Sequence, residues 1–175
     1  KPGTRFVRTV VSNHAQRGTA WFRNITVTQA PPVPAHAYSP GLPLGSFEYT
    51  HPDGFAKGWF ITPDTPGITI AQQGRNTFLR IISPDTLTKR SVAHLVELPD
   101  TQRVTVQARI RSEDLTPGQH GWHTAMLRWC FTDKQGNRVG DWPEPLRLTE
   151  PSDAWQTLKT TAEVPDGAVY ARLEA

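Results

Sequence analysis

The sequence predicts an all-β chain, an antiparallel β-sandwich, and three observations carry that expectation. Apolar residues recur with period two over short runs, as in GTAWFRNITV (18–27), and no sustained helical period is present. The 175 residues include 16 prolines and 13 glycines, a composition suited to many turns and few helices. Turn-forming clusters separate the runs: Pro52-Asp53-Gly54, Gln73-Gly74-Arg75-Asn76, Pro117-Gly118, Lys134-Gln135-Gly136-Asn137 and Pro165-Asp166-Gly167.

Taken in order, strands are expected at Thr4–Val11 and Gly18–Thr28, ahead of a proline-rich tract. Gly45–Tyr49 and Gly58–Thr62 follow on either side of the Pro52-Asp53-Gly54 turn. Ile68–Ala71 and Thr77–Ile82 flank the Gln73–Asn76 turn, and Ser91–Leu98 and Arg103–Arg111 come next. Leu115-Thr116 leaves room for a brief helical turn before His123–Thr132, but nothing there amounts to a helix. Leu146–Leu148 lies beyond the hairpin turn, and Trp155–Ala162 and Ala168–Leu173 flank Pro165-Asp166-Gly167. PGTRFVRTVV (2–11) also lies over DGAVYARLEA (166–175) as a faint repeat, matching Gly3 with Gly167, Phe6 with Tyr170 and Arg8 with Arg172.

QAPPVPAHAYSPGLP, residues 29–43, holds Pro31, Pro32, Pro34, Pro40 and Pro43 and little to bury. Proline lacks a ladder donor and favours extended geometry, so this stretch reads as a semi-rigid linker. Residues 1–28 then form a closing strand pair ahead of the linker, and residues 44–175 a sandwich behind it.

Net charge is +3, too small for the dense basic patch that nucleic acid requires. No apolar run reaches the ~18 residues of a membrane-spanning helix, and no secretory signal opens the chain. Lys1-Pro2-Gly3 looks like the interior of a longer polypeptide. Neither nucleic acid nor membrane is expected as a partner. The single cysteine, Cys130, lies in the apolar run Leu127–Phe131 and reads as a small buried hydrophobe.

GSFEYTHPDGFAKGWFI (45–61) resembles the opening of carbohydrate-binding modules of the family four and nine type. RVTVQARIRSEDL (103–115) resembles their central strand, and MLRWCFTDKQGNRVG (126–140) their strand, Asp-x-x-Gly hairpin and strand. WQTLKTTAEVPDGAVYARLEA (155–175) resembles their penultimate section. GTAWFRNITV is similar to their closing strand, yet it stands near the start, as in a circularly permuted module or a fragment of a tandem array. The resemblance implies a galactose-binding-domain-like jelly-roll, with residues 18–28 filling the closing-strand slot.

It also implies a role. A pyranose has an apolar face that stacks on an indole; burying ~70 Å² at about 25 cal/mol/Å² contributes roughly 1.5–2 kcal/mol. Trp122 in GQHGWH, Trp142 in VGDWPEP and Trp129 are candidate platforms, with Arg128, Arg109 and His123 as candidate polar contacts. The alternative for the arginines, Arg111 included, is a solvated sheet surface, and for His120 and His123 plain solvent exposure. Trp21, Trp155 and Trp59 are expected in the core. In the resembling modules a Ca²⁺ is held partly by the Glu of Ser-Phe-Glu and by closing-strand acids. Here these positions are Glu48 and Asn24, with Arg23 in place of an acid. The expected function is non-catalytic binding of polysaccharide, targeting a catalytic domain of the same polypeptide, a glycoside hydrolase or lyase, outside a bacterial cell. A structural accessory sandwich without sugar binding is the alternative, and a small jelly-roll lyase a third reading. No nucleophile elbow, phosphate loop or zincin motif is present.

Overall fold

Strands form where the residues alternate. The computed structural model describes residues 7–8, 12–13, 17–30, 60–61, 66–85, 89–98, 100–116, 118, 120 and 124–174. Among them are strands and turns but no helix, as the sequence led us to expect. In chain order the strands are β1 (Val7–Arg8), β2 (Ser12–Asn13), β3 (Arg17–Ala30), β4 (Phe60–Ile61), β5 (Ile68–Gln73), β6 (Asn76–Ser83) and β7 (Arg90–Glu97). They continue with β8 (Arg103–Thr116), β9 (Ala125–Thr132), β10 (Arg138–Val139), β11 (Leu146–Arg147), β12 (Gln156–Glu163) and β13 (Tyr170–Glu174).

Two sheets result. One is five-stranded and antiparallel, in the order β12-β8-β3-β6-β5. The other is eight-stranded: β1, β13, β9, β2, β7 and β4 lie side by side, and β10 and β11 also pair with β9. Its pairs are antiparallel except β1 with β13, which run parallel at Arg8↔Arg172. Side chains alternate across each strand, and one apolar face from each sheet enters a single core. Ala20, Phe22, Leu79, Ile81, Val104, Val106, Ala108 and Ile110 come from the five-stranded sheet, and Leu127, Trp129, Phe131, Ala171 and Leu173 from the other.

β3 pairs with β8 from Arg17↔Thr116 to Ala30↔Arg103 and with β6 from Gly18↔Ser83 to Phe22↔Leu79. Its alternation is broken once. The register shifts between Arg23 and Thr26, and Asn24 adopts a left-handed φ of 50°, a conformation asparagine tolerates better than most residues. This bulge resets the parity: Ile25 turns into the core with no exposed surface, while Arg23 stays outward and Asn24 reaches solvent.

At the other end of the pairing both chains distort together. Asp114 has φ 51° and Gly18 φ 130°, and a Cβ on Gly18 would sit 2.6 Å from the Asp114 carbonyl oxygen. The irregularity returns Leu115 to the core. Leu115-Thr116 therefore extends β8 instead of closing a helical turn: pairing and burial override the local turn signal. Gln29 and Ala30 also belong to β3, paired with Val104 and Arg103, so the strand enters the tract assigned to the linker. Residues 31–43 and the expected strand Gly45–Tyr49 lie outside the described residues.

Polar ties close one end of the interior. Arg90 is nearly buried; its Nε donates to the Pro66 carbonyl at 3.0 Å and its Nη1 to Ser83 Oγ at 2.8 Å, joining β7 of one sheet to the β5–β6 pair of the other. Ser112, fully buried on β8, donates its N–H to the Ser152 carbonyl, and its hydroxyl accepts the Ser152 N–H at 3.0 Å.

Phe22→Ala removes a ring from the middle of this core and is expected to lower stability by about 3–5 kcal/mol. Arg103→Ala breaks an ion pair with Glu163 in which both side chains are more than half exposed, and is expected to change stability by under ~1 kcal/mol. Urea unfolding of the two variants beside the parent checks both values.

Candidate ligand-binding faces

The outward residues of the five-stranded sheet are not the usual polar scatter. Ala20 and Phe22 point inward, so Trp21 and Arg23 point out, and the register sets Trp21 between Arg80 of β6 and Arg111 of β8. Arg23 lies opposite Arg109. Trp155, just ahead of β12, reaches across the face: its ring meets Phe78 of β6 edge-on at 5.8 Å, and the Arg23 guanidinium lies 4.3 Å from its centroid. Arg111 lies 4.2 Å over the Trp21 ring, and Arg111 and Arg109 also approach Trp155 at 5.7 and 6.0 Å. Guanidinium planes suit such stacking, at about 0.5–1 kcal/mol per exposed contact.

Four cations thus share one face, and none of them forms an ion pair among the described residues. The Nε atoms of Arg23, Arg80, Arg109 and Arg111 are buried and have no hydrogen-bond partner. Glu113, exposed on the same strand as Arg109 and Arg111, makes no ion pair with them among the described residues. Burial, and then the repulsion of Arg109 and Arg111, pulls the Arg23 guanidinium below its ordinary value, although arginine remains protonated in proteins. Charges rooted on adjacent strands about 5 Å apart repel by roughly 1 kcal/mol in water-like surroundings.

The outer face of the eight-stranded sheet handles charge in the opposite way. Glu174 of β13 is 3% exposed and pairs with Arg128 of β9, Arg172 of β13 and Lys89; the Arg128 Nε–Glu174 Oε2 distance is 2.8 Å. Burial raises the Glu174 carboxyl, but these cations outweigh it and hold it below the usual carboxylate range. On its other side Arg128 lies 5.1 Å from the centroid of Trp142, and Arg138 of β10 lies 5.6 Å from the same ring. Trp142 is 44% exposed. Two guanidiniums, one of them anchored by a buried carboxylate, lie near a ring that keeps a wide exposed surface, and that surface suits a flat apolar ligand face.

The expected site residues therefore fall apart into groups. Trp142 and Arg128 come together on one sheet, and Arg109 joins the arginine cluster on the other. Trp129 presents no surface at all: it packs edge-on to Phe131 at 5.3 Å and donates Nε1–H to the Glu144 carbonyl at 3.3 Å. Its candidacy as a platform is corrected, because its strand parity aims it into the interior. Trp122, His123 and Glu48 lie outside the described residues, as does Trp59. Asn24 is exposed at the β3 bulge, beside Arg23. Among the described residues no three His, Cys, Asp or Glu side chains gather as a metal site.

The expectation for Trp155 is corrected as well, while Trp21 is buried as expected. Trp21 lies beneath Arg111 and outside the intersheet core, and Trp155 is half-buried on the same outer face. Sequence reasoning passed over Arg23, Arg80, Trp21 and Trp155 as a group. A signal was present: Thr19, Trp21 and Arg23 share one strand parity and Ala20 and Phe22 the other. An open cleft of about 610 Å³ lies beyond the end of this sheet, between Gly18, Ser83, Asp114 and Asp153.

Comparison of the chain with protein families, with curated proteins and with solved structures finds no match in any of the three.

Two outcomes follow from these environments. The folded pKa of Glu174 lies below its unfolded value, so its stabilising contribution is complete above the unfolded pKa and is lost as pH falls through the folded one. Glu174→Gln is expected to cost about 1.5–3 kcal/mol at pH 7, a difference that shrinks as pH falls below the ordinary glutamate value of about 4.3 and is read by urea unfolding across pH. Burial pushes the Cys130 thiol up to about 11, so a disulfide reagent at pH 8 is expected to label it only when the protein unfolds.

Proposed function

We propose that this chain is a non-catalytic carbohydrate-binding module of jelly-roll type, which holds polysaccharide for a glycoside hydrolase or lyase in the same secreted or cell-surface bacterial polypeptide. The observation that carries the reading is the Trp142 plate. It is the one tryptophan among the described residues with a widely exposed ring, and it is flanked by Arg128 and Arg138. Stacking one sugar there contributes roughly 1.5–2 kcal/mol by the area it buries, and the two guanidiniums are placed to add hydrogen bonds. Allowing for the ordering cost of binding, such a site works in the micromolar to millimolar range, adequate for a tether that acts in concert with its neighbours. The sandwich itself and the family-like motifs are consistent with this role. A Ca²⁺ held by Glu48 and Asn24 belongs to the same reading.

Affinity electrophoresis in gels containing neutral β-glucan, xylan or mannan, with and without chelator, tests it. The parent is expected to be retarded by one of these polymers, and Trp142→Ala to lose most of that retardation with stability changed by under ~0.5 kcal/mol. A parent that runs freely through all three, or a variant retarded as strongly as the parent, overturns the assignment.

A further inference from the structure

We propose that the outer face of the five-stranded sheet is a second binding surface, one that takes the carboxylate or sulfate groups of an acidic polysaccharide. That the ligand is a polysaccharide rests on the function proposed above; that it is anionic rests on the face itself. Arg23, Arg80, Arg109 and Arg111 project from three neighbouring strands, β3, β6 and β8, to one side. Elsewhere in this protein Arg103 and Arg128 pair with carboxylates. Among the described residues these four have none, and each keeps a buried Nε without an acceptor there. An oxyanion lying on the face supplies the missing acceptors and relieves the mutual repulsion, and the planar fork of the guanidinium fits carboxylate or sulfate bidentately.

The aromatic rings decide between kinds of polyanion. Single-stranded nucleic acid is gripped by bases stacking on open aromatic faces. Here Trp21 is buried under Arg111, and Trp155 carries Arg23 on its ring. Arg23 and Arg111 lie over the indoles, and the outer surface offered to a ligand is cationic. With a net charge of only +3, the chain lacks the wider basic field that phosphate backbones exploit. The ligand recognised is one whose charges are spaced along an otherwise polar chain.

The test uses the whole chain with polygalacturonate as the carboxylated probe, a sulfated galactan as the sulfated one, and neutral galactan and a single-stranded oligonucleotide as controls. Arg23→Met with Arg111→Met keeps the aliphatic cover over the indoles while removing two charges; Arg80→Gln is the milder second variant. The parent is expected to be retarded by one or both acidic gels, with binding falling at least tenfold between low and moderately high salt. Saturating acidic polymer is expected to raise its Tm by about 3–6 °C. The double variant is expected to lose both effects, Arg80→Gln to weaken them several-fold, and Trp142→Ala to leave them intact. Retardation by neutral galactan as strong as by the acidic gels overturns the proposal, as does acidic binding that survives in the arginine variants. An oligonucleotide that displaces the acidic polymer at lower concentration overturns it in favour of nucleic acid. Trp142-dependent binding of neutral glycan without acidic binding sinks this inference and leaves the proposed function standing. The reverse pattern keeps the arginine surface and removes the Trp142 reading.

Discussion

The backbone of β3 must be paired on both edges, and the rest of the structure depends on that requirement. A buried strand with open N–H and C=O groups is unfavourable by a kilocalorie or more for each group left without a partner, and β3 lies in the middle of its sheet with β6 and β8 as its neighbours. Its inward residues Ala20, Phe22 and Ile25 are part of the core, and its outward residues Trp21 and Arg23 found the cationic face. The Asn24 bulge reconciles the two duties, because without it Ile25 would face solvent and Asn24 the interior. One backbone irregularity thus serves both packing and surface chemistry.

The two outer faces show two solutions to the same electrostatic problem. On the eight-stranded sheet a single buried carboxylate, Glu174, gathers Arg128, Arg172 and Lys89. Its charge is compensated, and the network fixes Arg128 beside Trp142. On the five-stranded sheet the guanidiniums are held by indoles instead, through the ring quadrupole and the flat stacking contact, and their charge is left available. Compensated charge makes a scaffold, whereas uncompensated charge on a rigid frame makes a receptor. The face whose cations lack carboxylates among the described residues is therefore the one with most to gain from an anionic partner.

Much of the strand layout was legible in the sequence because period two and turn chemistry are local signals. The β5–β6 and β12–β13 turns and the hairpin after β9 sit where Gly74, Gly167 and Gly136 supply positive φ. The two-residue strand β2 was not legible, since a pair of residues carries no period, whereas β10 follows the hairpin where the family resemblance put a strand. β8 ran past its expected end because the reading of Leu115-Thr116 used local propensity alone, while a bulge and the partner β3 kept the chain extended. For the sites, tryptophan was read as core or ligand platform from its neighbours in sequence. Trp129 was misjudged because both uses are compatible with an apolar run, and only parity across the sheet decides. The arginine cluster was invisible for a different reason: its members come from residues 23, 80, 109 and 111, and only the register between strands brings them together.

That register spans long stretches of chain. Trp21 lies beside Arg80 and Arg111, so the centre of the sheet is assembled from partners remote in sequence, which places the protein at the high-contact-order end of folding behaviour. During synthesis the first long strand emerges well before either flanking strand exists, with Phe22 and Ile25 uncovered. Folding to the finished sheet is therefore expected to be slow, and the early segment is the place where a chaperone would find an open apolar edge.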